Sequence, residues 1–292
     1  MAPPKLSILC FGRTGQVARE LTRCAGTDIN LISLDREAAD LKDPAACAAQ
    51  IDATDADIVI NAAAYTAVDK AEDEPDLAYT INSDAPGAMA QAAAARRLPF
   101  LHISTDYVFD GRGSNAWSEG DETAPLGTYG RSKLAGEQAV IQAGGQHLIL
   151  RTAWVHAAHG NNFMRTMLRV GAARDKLTVV DDQFGGPTAA GDIAQTLFTI
   201  AGAFHQGRGT TGIYHYCGQP AVSWCDFARE IFAQAGMSTE VAPIPSSDWP
   251  TPAPRPANSV LDCAKIMRDY GIEQPDWRQS LTKILAEQET SQ

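Results

Sequence analysis

Leu6-Ser7-Ile8-Leu9-Cys10-Phe11-Gly12-Arg13-Thr14-Gly15-Gln16-Val17-Ala18 is the stretch that decides the fold. Its first six residues read as a buried strand, Gly12 stops that strand at once, and helical spacing runs from Gln16 to Arg23. A strand that turns straight into a helix aims the unpaired first amides of the helix at one point, where the helix dipole favours an anion. Gly12 permits a tight turn and Gly15 a close backbone approach to pyrophosphate. Ala18 stands where a third glycine would allow close helix-strand packing, which alanine also permits. An ordinary strand-to-helix turn could use the same glycines. The position near the N-terminus, between strand and helix, favours a dinucleotide site.

Outward from this motif the alternation continues. Ile29-Asn30-Leu31-Ile32-Ser33-Leu34, Asp57-Ile58-Val59-Ile60-Asn61, Phe100-Leu101-His102-Ile103-Ser104 and His147-Leu148-Ile149-Leu150-Arg151 read as further strands. Ala-rich helical stretches such as Ala85 to Arg97 lie between them. Apolar strands separated by helices predict an α/β fold with a doubly wound parallel sheet of the Rossmann type. The second half changes character. It has short strands at Leu177–Val180 and Ile213–Tyr216 and helices at Ala190–Phe204, Trp224–Ala235 and Trp277–Ala286. Pro243–Pro256 holds six of the sixteen prolines and reads as an extended loop. We expect a dinucleotide-binding domain over 1–154 and, over 155–292, mainly a smaller substrate lobe with some segments returning to the sheet.

Asp35 ends the second strand, twenty residues past Gly15, where a carboxylate binds the adenosine ribose hydroxyls of NAD. Arg36 follows and could instead meet the extra phosphate of NADP, so the pair leaves NADH and NADPH both open. Asp40 and Leu41 flank the adenine on this reading, while capping a helix serves Asp40 equally well.

The charge balance is acidic, with 24 Lys and Arg against 35 Asp and Glu and a net charge of −11. Such a surface repels a phosphate backbone and an anionic membrane, so neither nucleic acid nor membrane is an expected partner. No apolar run reaches the roughly 20 residues of a membrane span, and the opening Met-Ala-Pro-Pro-Lys lacks a signal-peptide core. A cytoplasmic location is expected. Cysteines 10, 24, 47, 217, 225 and 263 form no CxxC pair and read as buried free thiols, and no metal site is expected.

Tyr129 and Lys133 are four residues apart and share one face of a helix. Tyrosine titrates near pH 10, and a nearby ammonium would lower that value; two pH units need about 2.7 kcal/mol. Taken alone, a Tyr and a Lys at this spacing are better explained as surface pairing on a helix. Here Ser104-Thr105-Asp106-Tyr107 also lies at the C-terminal end of a strand, the edge where open parallel sheets bind ligands. A hydroxyl at Thr105 can polarise a carbonyl there. Asn61-Ala62-Ala63-Ala64 ends another strand, and its small side chains let a flat cofactor approach, although close packing uses alanine too.

Taken together, these motifs resemble those of the extended short-chain dehydrogenases and, within them, the dTDP-4-dehydrorhamnose reductase family. The likeness rests on Ser104 to Gly111, Asn61 to Glu72, Arg151-Thr152-Ala153-Trp154-Val155, Gly160-Asn161-Asn162-Phe163, Asp182 to Thr188 and Arg255-Pro256-Ala257-Asn258-Ser259. It implies NADPH- or NADH-dependent reduction of a dTDP-linked 4-keto-6-deoxy sugar, dTDP-4-dehydrorhamnose, at C4. It further implies catalytic roles for Thr105, Tyr129 and Lys133. Gly12, Gly15, Gln16, Val17, Asp35, Arg36, Asp40, Leu41, Ala62, Ala63, Ala64 and Tyr65 would border the cofactor together with Tyr129 and Lys133. Asp106, Trp154, Asn162 and Arg255 would join Thr105 around the sugar nucleotide. Related dehydratases carry two acidic residues after the active Thr, whereas Asp106 is followed here by Tyr107, which favours simple reduction. Some of these reductases bridge a dimer through magnesium; Gly191 before Asp192 interrupts the acidic cluster, so monomer and homodimer both stay open. Two alternatives are a reductase or epimerase of another nucleotide-linked keto sugar, and a regulatory subunit that binds dinucleotide without turnover.

Overall fold

The computed structural model describes residues 5–289. The apolar runs of the first half form strands β1 (Leu6–Phe11), β2 (Ile29–Leu34), β3 (Ile58–Asn61), β4 (Phe100–Thr105) and β5 (His147–Thr152). They pair in parallel in the order β2-β1-β3-β4-β5, and a sixth strand, Gly212–His215, pairs in parallel with β5. The chain moves outward from β1 to β2 and then crosses back to β3. That reversal opens a crevice at the carboxyl ends of β1 and β3.

Helices α1 (Gln16–Cys24), α2 (Pro44–Ala53), α3 (Pro75–Tyr79), α4 (Ala85–Ala95) and α5 (Thr128–Gln142) fill the connections. Alternate side chains of a strand point to opposite faces. Ile8, Cys10, Ile58, Ile60, Leu148 and Leu150 therefore enter one core, and Leu9, Phe11, Val59, Phe100 and Ile149 the other. The second core also takes Ile51 of α2, Met89 of α4 and Val140 of α5. α2 begins where it does because Pro44 fits the first turn and the Asp43 carboxylate accepts from the Ala46 amide at 3.0 Å.

Helices α6 (Phe163–Gly171), α7 (Ala190–His205), α8 (Trp224–Gln234), α9 (Ala264–Tyr270) and α10 (Trp277–Glu289) follow. α7 returns to the sheet: Ile193, Leu197 and Ile200 join Leu21 of α1 in the first core. Truncating one of these fully buried side chains to Ala would cost about 2–5 kcal/mol. Away from the sheet, Met164, Phe227, Ile231, Trp277 and Leu281 from α6, α8 and α10 form a third core. Small sheets border it. Lys176–Val180 pairs with Glu240–Ile244, and Phe184–Gly185 lies between Val222–Ser223 and Asn258–Ser259.

Pro243–Pro256 departs in part from the loop its prolines suggest. The strand Glu240–Ile244 runs into it, and Ser246–Asp248 makes a 3₁₀ turn. That strand has a neighbour on one side only, so Pro243, lacking an N–H, forfeits no ladder bond on its open side. All six cysteines are free thiols, five buried and Cys24 partly exposed.

Candidate active site

The glycine turn sits at the carboxyl end of β1. Gly12 has φ +112°, and a Cβ there would stand 3.3 Å from the Ala62 carbonyl carbon. The position thus demands glycine twice over, by conformation and by the approach of the segment after β3. Gly15 caps α1 with φ −66° and no side-chain hydrogen bond. It is not strained, and a Cβ on it would meet only the Ala62 carbonyl oxygen, at 3.9 Å. Gln16 reaches away from the turn: its Oε1 accepts from Asn162 Nδ2 at 2.8 Å. Val17 is buried in the first core.

At the end of β2, Asp35 Oδ1 accepts from the amides of Glu37 and Ala38, and Asp35 Oδ2 pairs with Arg13 Nη1 at 3.2 Å. The Ala38 amide, then the Arg13 guanidinium, hold this carboxyl below the usual range. Arg36 is exposed beside it. Asp40 makes a local turn by accepting from the Lys42 amide at 3.0 Å, and Leu41 is buried in the second core. Ala62 and Ala63 are half-buried and Ala64 is exposed. Tyr65 is fixed by its backbone: Asn82 accepts from its amide at 2.8 Å and donates to its carbonyl at 3.0 Å. The Tyr65 hydroxyl donates to Glu74 at 2.5 Å, which pushes the phenol up to about 12.

Thr105 ends β4 and gathers the polar centre. Its Oγ1 accepts from the Tyr107 amide at 3.2 Å and donates to Asp106 Oδ1 at 3.1 Å, and its hydroxyl opposes part of the upward pull on the Tyr129 phenol. Asp106 is 3 % exposed, and its Oδ2 has no hydrogen-bond partner among the described residues. Burial pushes this carboxyl up to about 6, against the lowering effect of the Ser259 and Thr105 hydroxyls. Tyr129 packs edge-on against Tyr107 with ring centroids 5.5 Å apart. Desolvation pushes its phenol up to about 12, with the Thr105 hydrogen bond opposing. α5 can pass this close because Gly130 lies against the Tyr107 carbonyl, where a Cβ would stand 2.2 Å from the oxygen.

Lys133 lies one turn further along α5, nearly fully buried, and burial pulls it down to about 8. Its Nζ donates to the Ile103 carbonyl at 2.7 Å and stands 3.3 Å from His102 Nε2. Helical spacing alone predicts that Lys133 lowers the Tyr129 phenol. In this structure desolvation governs Tyr129, the phenol moves up, and the directed contacts of Lys133 are to β4.

The expected sugar-pocket residues occupy three places. Trp154 follows β5 with φ +49°, rare for so large a side chain. Trp224 stacks on it at a centroid distance of 3.4 Å, and a Cβ on Gly185 would meet its ring at 2.6 Å. Arg255 pairs with Asp69 at 2.9 Å and donates to the Ala253 carbonyl. Asn162 is committed elsewhere. It caps α6 by accepting from the Arg165 amide, and it donates to Gln16 and to the Ala157 and His159 carbonyls.

Four further residues belong to the site. Arg13 lies inside the opening motif, and its pairing with Asp35 crosses from β1 to β2. His102 and Arg151 are polar residues within apolar strands, a pattern that signals a buried partner. Arg151 binds Glu137 of α5 through two bonds of 2.6 and 2.9 Å, and Glu137 also accepts from Ser104 at 2.5 Å. Trp224 had no local signal.

Residues 6–290 match the family model described as the RmlD substrate binding domain. A dTDP-4-dehydrorhamnose reductase from Sinorhizobium fredii is 42% identical over 280 residues, covering 94% of this chain and 95% of that protein. The crystal structure of a dTDP-4-dehydrorhamnose reductase from Clostridium acetobutylicum superposes with a TM-score of 0.91 at 36% identity, covering 97% of this chain and 99% of the other. That of a dTDP-4-dehydrorhamnose reductase from Bacillus anthracis, in complex with NADP, gives 0.91 at 32% identity with the same coverage.

Proposed function

The chain belongs to the family of the RmlD substrate binding domain, and on that premise we propose that it reduces dTDP-4-dehydrorhamnose to dTDP-L-rhamnose with NADPH or NADH. The residues present fit a dinucleotide. Gly12 leaves a cradle that any Cβ would fill, and α1 opens without a side-chain cap, which leaves its first amides and its dipole to a pyrophosphate. Gly15, Gln16 and Val17 would supply those amides. Asp35, Arg13 and Arg36 would meet the adenosine ribose and any phosphate on it, with Asp40 and Leu41 beside the base. Ala62, Ala63, Ala64 and Tyr65 would border the cofactor at the end of β3. When bound, the reduced nicotinamide supplies a hydride to C4 of the keto sugar.

The observation that carries this reading is the Thr105 hydroxyl at the carboxyl edge of the sheet, bonded to Asp106 and acting on the Tyr129 phenol, with Lys133 one turn further along α5. As hydride reaches C4, the carbonyl oxygen becomes an alkoxide. Thr105 polarises that oxygen, and Tyr129 gives it a proton. A phenol pushed up to about 12 keeps its proton at neutral pH, so it waits as the acid. Lys133 would hold the nicotinamide ribose. Asp106, Trp154 and Arg255 would line the sugar-nucleotide pocket, while Asn162 acts through Gln16. Residues 1–154 carry the cofactor, and 155–292 supply mainly the sugar lobe, with α7 and Gly212–His215 belonging to the sheet.

The test is to mix purified protein, dTDP-4-dehydrorhamnose and each reduced cofactor and to follow nicotinamide absorbance. Oxidation of cofactor only when the keto sugar is present, with dTDP-L-rhamnose formed, is the expected result. No oxidation with either cofactor overturns the reading.

A further inference from the structure

His102 stands in the middle of β4, fully buried, between the end of β3 and α5. Its Nδ1 is 3.2 Å from Asn61 Nδ2, and its Nε2 is 3.3 Å from Lys133 Nζ. Asn61 Oδ1 accepts from the Ala63 amide at 3.1 Å, and that contact fixes which way the amide faces. The nitrogen turned to His102 therefore donates, and Nδ1 must accept. A neutral imidazole has one donor and one acceptor nitrogen, so its proton sits on Nε2. Nε2–H then points at Lys133 Nζ. An ammonium has no lone pair to receive it, whereas a neutral amine accepts from Nε2–H and still donates to the Ile103 carbonyl at 2.7 Å.

The reverse arrangement has Nδ1–H donating and Nε2 accepting from an ammonium. It requires the Asn61 amide to turn over, which sets its NH2 against the Ala63 N–H. An imidazolium meets the same clash at Nδ1.

We propose that Asn61 and His102 are positioning residues that hold Lys133 toward its neutral amine, so that the β3 turn sets the pH at which the lysine takes up its proton. The consequence for turnover rests on the reading of Lys133 as a cofactor-side residue; the protonation claim does not. The charged and titratable groups around Lys133 come from four directions. His102 belongs to β4, and Tyr129 and Glu137 to α5 itself. Arg151 of β5 is paired with Glu137, and Asp106 lies just past β4. Of these, Glu137 favours the ammonium, but Arg151 and Ser104 occupy both its oxygens. His102 is itself held well below its ordinary value, chiefly by burial. It stays neutral and acts through its tautomer.

Nitrogen and carbon NMR of the native protein, labelled at histidine and lysine, reads both quantities without substrate or cofactor. His102 is expected as the Nε2–H tautomer, and Lys133, identified by its loss in Lys133→Met, is expected to titrate at or below about 8. In His102→Gln the amide can turn its oxygen to Lys133, so the Lys133 midpoint should rise by about one pH unit, a tenfold gain in proton affinity. The alkaline limb of the pH profile for keto-sugar reduction should move the same way. An Nδ1–H tautomer in the native protein overturns the proposal, and so does an unchanged Lys133 midpoint in folded His102→Gln. If that variant fails to fold, the native tautomer alone decides. Absence of reduction by native protein would sink the functional reading and leave the NMR result standing.

Discussion

Replacing Lys133 by methionine should make the folded protein more stable at neutral pH while destroying its reductase activity. The ammonium is 2 % exposed, and burial pulls it from an ordinary 10.5 to about 8. Each pH unit corresponds to about 1.4 kcal/mol, so holding this charge inside costs the native state about 3 kcal/mol at pH 7. Methionine has similar length and no charge to bury. Its cost is the lost bonds to the Ile103 carbonyl and to His102 Nε2–H, about 1 kcal/mol each, leaving a net gain of about 1 kcal/mol. The pH dependence gives a second check. The folded pKa lies below the unfolded one, so between about 8 and 10.5 the unfolded chain binds more protons. Native stability therefore rises with pH through that window. The gap between variant and parent is full below about 8 and closes toward 10.5. Urea denaturation at several pH values measures it. A variant less stable than the parent at pH 7, or a gap that does not vary with pH, would mean that Lys133 is not held inside as a costly charge.

Three further outcomes are expected. Tyr129→Phe should lower the turnover of the keto sugar at least ~100-fold, since the proton donor is gone, while cofactor binding measured by fluorescence titration stays within a factor of two. Glu137→Ala leaves the Arg151 guanidinium charged inside the protein, and the urea midpoint should fall by the equivalent of about 3–5 kcal/mol. Gly12→Ala forces a side chain into φ +112° and against Ala62, so stability should drop by about 1–3 kcal/mol and cofactor affinity should fall more steeply than substrate affinity.

The parts of this fold legible in sequence are those fixed by short-range physics. Continuous apolar runs such as Ile58–Ile60 can be satisfied only between two covered faces, and Gly12 marks a turn that no other residue could make. The Tyr129–Lys133 spacing likewise guarantees a shared helix face. What sequence could not give is what depends on which strands become neighbours. The contacts of Lys133 come from β4, the partner of Arg151 from α5, and the stack under Trp154 from Trp224, seventy residues downstream. Asn162 shows the same limit. Its motif gives no sign of the hydrogen bonds that tertiary placement adds, to Gln16 and to the α6 cap. Pro243 suggests a break in structure because the one-sided pairing that accommodates it is invisible from composition.

The sixth strand, Gly212–His215, has a consequence for how the protein is made. Until about residue 215 has left the ribosome, β5 presents an unpaired row of amides and carbonyls, and α7 is not yet available to cover one side of the nascent sheet. Such an edge is a template for pairing with other chains. A fragment ending near Trp154 would keep every strand of the opening motif and yet carry that adhesive border permanently. Closure of the sheet thus waits on a segment separated from β5 by sixty residues, and the nascent chain depends on chaperoning, or on speed, until that segment arrives.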